Sequence, residues 1–127
     1  MKSASRHLLL VEDFGLAPAL VPLFTNQGWV VRSCTGAREA MYVGRQWHVD
    51  TLLAAVKLPD ESGDTVFYRL AIEYFHLYTR TVFLVTDSEE QARVDRIGGK
   101  WIQLPNSPEI ILQNFLQLLA KRRGSGA

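Results

Sequence analysis

Charged and hydroxyl-bearing side chains stand where apolar runs end in this chain. Glu12 and Asp13 follow Leu8-Leu9-Leu10-Val11, Lys57 and Asp60 follow Thr51 to Val56, and Thr86 and Asp87 follow Thr81 to Val85. Two adjacent carboxylates repel each other unless a cation stands near them. Lys57 is a cation placed to help: it lies two positions beyond Ala55, so strand alternation tilts both side chains toward one face. The expectation is that its ammonium pairs with Glu12 or Asp13; the alternative is a solvated loop lysine. Other chemistry is not visible. His7, His48 and His76 fall on a strand, a loop and a helix without ligand spacing. Gly-x-Gly-x-x-Gly, Walker and Gly-x-Ser-x-Gly sequences are absent. Cys34 ends a predicted strand with no histidine near it in sequence, which fits a small buried thiol better than a nucleophile.

The elements that must position these residues alternate along the chain. His7 to Val11 is a continuous apolar run, as a parallel strand covered on both faces should be. Leu16, Leu20, Leu23 and Phe24 then recur at helical spacing. Pro18 is tolerable in the first turn of that helix, whereas Pro22 should kink it or shift its start. Trp29 to Cys34, interrupted by Arg32, reads as an edge strand and Ala37 to Gln46 as a helix. Strands are expected at Thr51 to Val56, Thr81 to Thr86 and Lys100 to Leu104, and a helix over Thr65 to Tyr78. Ser88-Glu89-Glu90 opens a fourth helix, and Ser107-Pro108-Glu109 opens the last, with serine as cap and proline in the first helical position. Five such βα units imply an α/β, flavodoxin-like (βα)5 three-layer sandwich with a parallel sheet of order 2-1-3-4-5. In that fold ligand chemistry belongs at the carboxyl ends of the strands: after Val11, Ala55 and Thr86, and around Leu104.

Composition narrows the function classes. The 127 residues suit one domain with its own core, and the net charge of +1 argues against a nucleic-acid or membrane-surface binder that works through bulk charge. Residues 1–6 read as a flexible amino terminus, 7–122 as the folded domain and 123–127 as a flexible tail. The amino-terminal apolar run is too short for a signal-peptide core or a membrane span. One cysteine makes no internal disulfide, which points to a cytoplasmic setting.

The chain resembles the receiver domains of response regulators over nearly its whole length. Leu8 to Asp13 is similar to their first strand and acidic pair, Gly28-Trp29-Val30-Val31 to the opening of strand two, and Ala37-Arg38-Glu39-Ala40 to the start of helix two. Leu84-Val85-Thr86 resembles strand four with its switch hydroxyl. Gly98-Gly99-Lys100-Trp101 and Leu104-Pro105 resemble the entry and exit of strand five. The segment Val49 to Gly63 keeps that family's strand, Pro59 and Gly63, but Ala55 stands where the resemblance places the phospho-accepting aspartate. Leu104 stands where it places the lysine, and Asp87 replaces the small residue after the switch hydroxyl. An alanine forms no acyl phosphate, and a carboxylate facing a phosphoryl group costs on the order of a few kcal/mol.

What the resemblance implies is therefore a degenerate, or pseudo-, receiver: not an enzyme, but a phosphorylation-independent protein-interaction module in two-component signalling. Glu12 and Asp13 would hold Mg²⁺ weakly or not at all, since one of three carboxylates is missing, and no other cofactor is implied. Thr86 and Trp101 occupy the switch positions; without a phosphoryl group Trp101 is expected to serve as core or surface cover. The partner would be a protein, met through the face of helix four, strand five and helix five. A second surface is helix three, where Tyr68, Ile72 and Phe75 form an apolar stripe beside that of Phe67, Ala71, Tyr74 and Tyr78. That second stripe either tucks beneath neighbouring helices or meets a partner. Association into a homodimer is a further option. The altered first helix weakens any carry-over of the family's kinase-docking role. Two rivals stand beside this reading: phosphorylation at a substitute carboxylate, Asp60 or Asp87, and a small-molecule sensor using the strand-end crevice that Ala55 leaves open.

Overall fold

The computed structural model describes residues 6–120, so the expected flexible tail 123–127 and all but the last residue of the expected amino-terminal segment lie outside the described residues. The chain runs β1 (His7–Val11), α1 (Ala17–Asn26), β2 (Val30–Cys34), α2 (Ala37–Gln46), β3 (Thr51–Ala55), α3 (Gly63–Ala71), a 3₁₀ turn (Phe75–Tyr78), β4 (Thr81–Val85), α4 (Ser88–Arg96), β5 (Lys100–Gln103) and α5 (Pro108–Ala120). The strands form one parallel sheet in the order β2-β1-β3-β4-β5. This is the expected flavodoxin-like arrangement.

Strand composition follows position in the sheet. The central strands β3 and β4 are buried at every residue, whereas the edge strand β2 exposes Val30, Arg32 and Ser33. Alternation sorts the core into two halves. Leu9, Val11, Leu52, Ala54, Phe83 and Val85 face α2, α3 and α4, and Leu8, Leu10, Leu53, Ala55, Val82 and Leu84 face α1 and α5. Ala55 is thus a core residue of the α1/α5 side, packed with Ile102 and Leu104 in one apolar cluster.

Two elements differ from the sequence expectation. Helix α1 keeps its start at Ala17 and runs on through Pro22. Proline there has no N–H for the carbonyl of Pro18, but Pro18 is exposed, so the lost helix bond is not buried away from solvent. The helix expected over Thr65 to Tyr78 stops at Ala71, and the chain opens at Tyr74 (φ −115°, ψ 80°) before the 3₁₀ turn. Tertiary contacts explain the break. The Tyr74 hydroxyl donates to the Gly44 carbonyl at 2.8 Å, and Leu77 is fully buried; the aromatic run Tyr74 to Tyr78 has little helix propensity to oppose them. The second apolar stripe is not tucked away: Ile72 is 81% and Phe75 78% exposed, and Tyr68 is exposed as well, as is Tyr78 of the first stripe.

Candidate functional site

The carboxyl ends of the strands hold acidic residues, and α1, α2 and α4 each take one of them at their amino terminus. Helix α1 begins after Leu16, which offers no side chain to its free N–H groups. Glu12 supplies the acceptor. Its Oε1 accepts from the N–H groups of Phe14 (2.8 Å) and Leu16 (3.1 Å), and its Oε2 from that of Ala17 (3.1 Å). The side chain is buried (2% exposed) against a helix terminus that carries partial positive charge. Its neighbour Asp13 is exposed.

Asp60 serves α2 in the same way. Gly36 leads into that helix without a capping side chain, and the Asp60 carboxylate accepts from the N–H groups of Ala37 (2.7 Å), Arg38 (3.0 Å) and Glu61 (2.9 Å). The N–H groups of Arg38 and Ala37 stabilise its charged form and lower its pKa to about 2. Asp87 is the N-cap of α4 and accepts from Glu90 N–H at 2.8 Å. Glu90 reaches back, its Oε1 accepting from both the backbone N–H (2.8 Å) and the hydroxyl (3.1 Å) of Thr86. This is a variant of the capping box, with the returning carboxylate taken by the residue before the N-cap, and it holds the Thr86 hydroxyl toward α4.

The positions between these caps are apolar. Ala55 is fully buried and Leu104 nearly so, both in the α1/α5 core. The loop after β3 folds back closely enough that Gly63 N–H donates to the Val56 carbonyl at 2.9 Å. A Cβ at Gly63 would come within 2.0 Å of the Ala55 carbonyl oxygen, so only glycine fits there. Beside this floor lies an open cleft of about 330 Å³ lined by Phe14, Leu16, Thr86, Leu104, Pro105 and Asn106. On the other side of Phe14 a smaller cleft of about 200 Å³ brings Asp13 and Lys57 to a shared rim with Leu58 and Pro59. The expected ion pair is not formed: among the described residues no salt bridge joins Lys57 to Glu12 or Asp13, and Lys57 is exposed. Glu12 already has three N–H donors, which removes the electrostatic demand for the lysine.

Trp101 is half-buried and packs on the core, its ring N–H donating to Asp95 Oδ1 at 3.0 Å. It therefore covers the α4–β5 seam, pinned from outside. The Cys34 thiol is buried, and burial, reinforced by Glu39, raises its pKa to about 12, in keeping with an inert core residue.

The histidines correct the sequence reading. They lack ligand spacing along the chain, yet the fold gathers them at the amino edge of the sheet. One ring nitrogen each of His48 and His76 and a carboxylate oxygen of Asp50 lie within 4.8 Å of one another. His7 stands beside them, its Nδ1–H donating to the His48 carbonyl at 2.9 Å. The separation of residues 48 and 76 in sequence hid this cluster; only the parallel β3–β4 pairing brings their loops together.

No protein-family profile and no curated protein sequence matches the chain. Solved structures do. The non-phosphorylated HemR receiver domain from Leptospira biflexa matches with a TM-score of 0.78 at 22% identity, over 94% of this chain and 98% of that one. The chemotaxis response regulator CheY4 of Vibrio cholerae matches with a TM-score of 0.78 at 18% identity, over 91% and 99%. A CheY-like receiver domain protein from Methanospirillum hungatei gives 0.77 at 17%, over 91% and 94%. The chain has the fold of a receiver domain. Among the described residues no helix is long and apolar enough to cross a membrane.

Proposed function

We propose that this receiver-fold chain is a pseudo-receiver, a phosphorylation-independent module that signals by docking a protein partner. One observation carries the reading: Glu12, Asp60 and Asp87 are spent on helix termini, around a floor made of buried Ala55 and Leu104. Mg²⁺ needs several oxygen ligands in octahedral array. Glu12 and Asp60 each already accept three N–H groups, which leaves Asp13 as the exposed remnant of a metal site. The same caps weigh against Asp60 and Asp87 as substitute acceptors, because attack on a phosphoryl donor would cost each its helix contacts. Thr86, held by Glu90, has no phosphoryl oxygen to move toward.

For the partner surface, the side chains Tyr68, Ile72, Phe75 and Tyr78 favour α3 and the 3₁₀ turn over the α4–β5–α5 face. They form an exposed apolar patch in which the rings of Tyr68 (tilted) and Tyr78 (edge-on) contact buried Phe67, each with centroids 5.4 Å apart. Exposed aromatic clusters anchored on a core are typical interface material. By contrast the α4–β5 seam is closed by its own hydrogen bonds, Trp101 to Asp95 and Gln91 to Gln103.

The test is incubation of the purified chain with acetyl phosphate and Mg²⁺, read by intact mass. The expected result is no added phosphoryl group; a stoichiometric adduct on any aspartate sinks the proposal. A photo-crosslinker at Phe75, in cells, should trap a protein that Ile72→Glu no longer captures. A ligand-sensing role has its own support in the 330 Å³ apolar cleft; a thermal-shift screen of nucleotides and metabolites, with Leu104→Glu as control, decides it.

A further inference from the structure

The amino edge of the sheet carries a second cluster, about 16 Å along β3 from the Ala55 edge by strand rise. We propose that His48, Asp50 and His76 form a binding site for a divalent first-row transition metal of the Zn²⁺ type. The donor set is two imidazoles and one carboxylate, the mixture that suits zinc and its neighbours; Mg²⁺ and Ca²⁺ take all-oxygen shells. The three ligand atoms lie within 4.8 Å of one another. In a tetrahedral zinc shell, ligands about 2.0 to 2.1 Å from the ion stand about 3.3 Å apart. His48 Nε2 and Asp50 Oδ1 are already 3.0 Å apart. His48 is exposed, which leaves its ring free to turn toward a shared ion.

The loop that carries the ligands is braced from behind. Asp50 Oδ2 accepts the backbone N–H of His7 at 2.8 Å, and His7 Nδ1–H donates to the His48 carbonyl at 2.9 Å. His7 is in turn stacked on Trp47 with ring centroids 4.5 Å apart. His76 Nε2–H donates to the Val49 carbonyl at 2.7 Å, which leaves its lone pair on Nδ1. A ring nitrogen bonded to a backbone carbonyl is the usual outer-shell arrangement that orients a metal-ligating histidine. An ion here would tie the loop before β3 to the 3₁₀ turn before β4. Phe75 and Leu77 flank His76 in that turn, so metal would fix the segment that presents the exposed Phe75 ring. Three protein ligands leave a fourth position for water or a partner's side chain.

The site is tested on the untagged full chain, stripped of metal and titrated with Co²⁺, then competed with Zn²⁺. The expected result is visible-region absorption saturating at one equivalent per chain and displaced by Zn²⁺. His48→Ala, a change at an exposed residue, should weaken Co²⁺ binding at least about tenfold, and Asp50→Asn should weaken it as well. Zn²⁺-induced amide shifts should centre on residues 47–50 and 75–78. Absent Co²⁺ bands at millimolar metal, equal affinity in His48→Ala, or shifts centred on Asp13 instead would overturn the proposal.

Discussion

Replacing Glu12 with alanine separates a helix cap from a metal ligand by the sign of the stability change. Glu12 accepts three N–H groups at 2.8 to 3.1 Å while 2% exposed. Hydrogen bonds to a charged acceptor are worth about 1.5 to 3 kcal/mol each. Against that stand the several kcal/mol of desolvating the carboxylate and the access of water to the freed N–H groups of an exposed loop. A net loss of about 2 to 4 kcal/mol remains, above the roughly 0.5 to 2 kcal/mol of an ordinary cap because this carboxylate is buried and accepts three N–H groups. At a urea slope of roughly 1.5 kcal/mol per molar for a domain of this size, the unfolding midpoint of Glu12→Ala should fall by about 1.3 to 2.7 M. Glu12→Gln keeps one acceptor oxygen and should fall part of the way. An acidic metal pocket behaves oppositely: two carboxylates about 4 Å apart repel by about 4 kcal/mol at an effective dielectric of 20, so removing one stabilises the metal-free protein. An unchanged or higher midpoint for Glu12→Ala refutes the capping account.

The other predictions use the same logic. Asp60 has its pKa lowered to about 2 from an ordinary value near 3.8; its contribution is therefore complete above about pH 4 and disappears as pH falls through about 2. Acid titrations of wild type and Asp60→Ala should differ in stability at pH 6 and converge near pH 2. Ala55→Asp places a carboxylate at a fully buried apolar position and should cost about 3 to 5 kcal/mol in chemical denaturation; adding Leu104→Lys should recover part of it. Cys34, with its pKa raised to about 12, should resist iodoacetamide at pH 8 in the native protein and react once urea unfolds it.

The sheet was readable because its signals are local. Buried parallel strands are apolar runs, Ser107-Pro108 announces α5, and the order 2-1-3-4-5 follows from five βα units. Local patterns also located the strand-end residues, but not their work. The Asp87-x-x-Glu90 capping box had a sequence signature that a reading focused on metal chemistry passes over. Asp60 had none, since its partners Ala37 and Arg38 lie more than twenty residues away. Helix α3 misled for a related reason: periodicity continued through Tyr74, and one long-range hydroxyl contact to Gly44 ended it. The arrival of His76 beside the local pair His48 and Asp50 is likewise a product of topology.

The most direct test of the central claim is a titration of the isotopically labelled chain with Mg²⁺ and beryllofluoride, followed by amide NMR. Capped carboxylates and a buried Ala55 predict no saturable shifts at Glu12, Asp13, Thr86 or Asp87, and none reaching Trp101. Saturable shifts at those residues that spread to Trp101 would mean a working switch, and the pseudo-receiver account would be wrong.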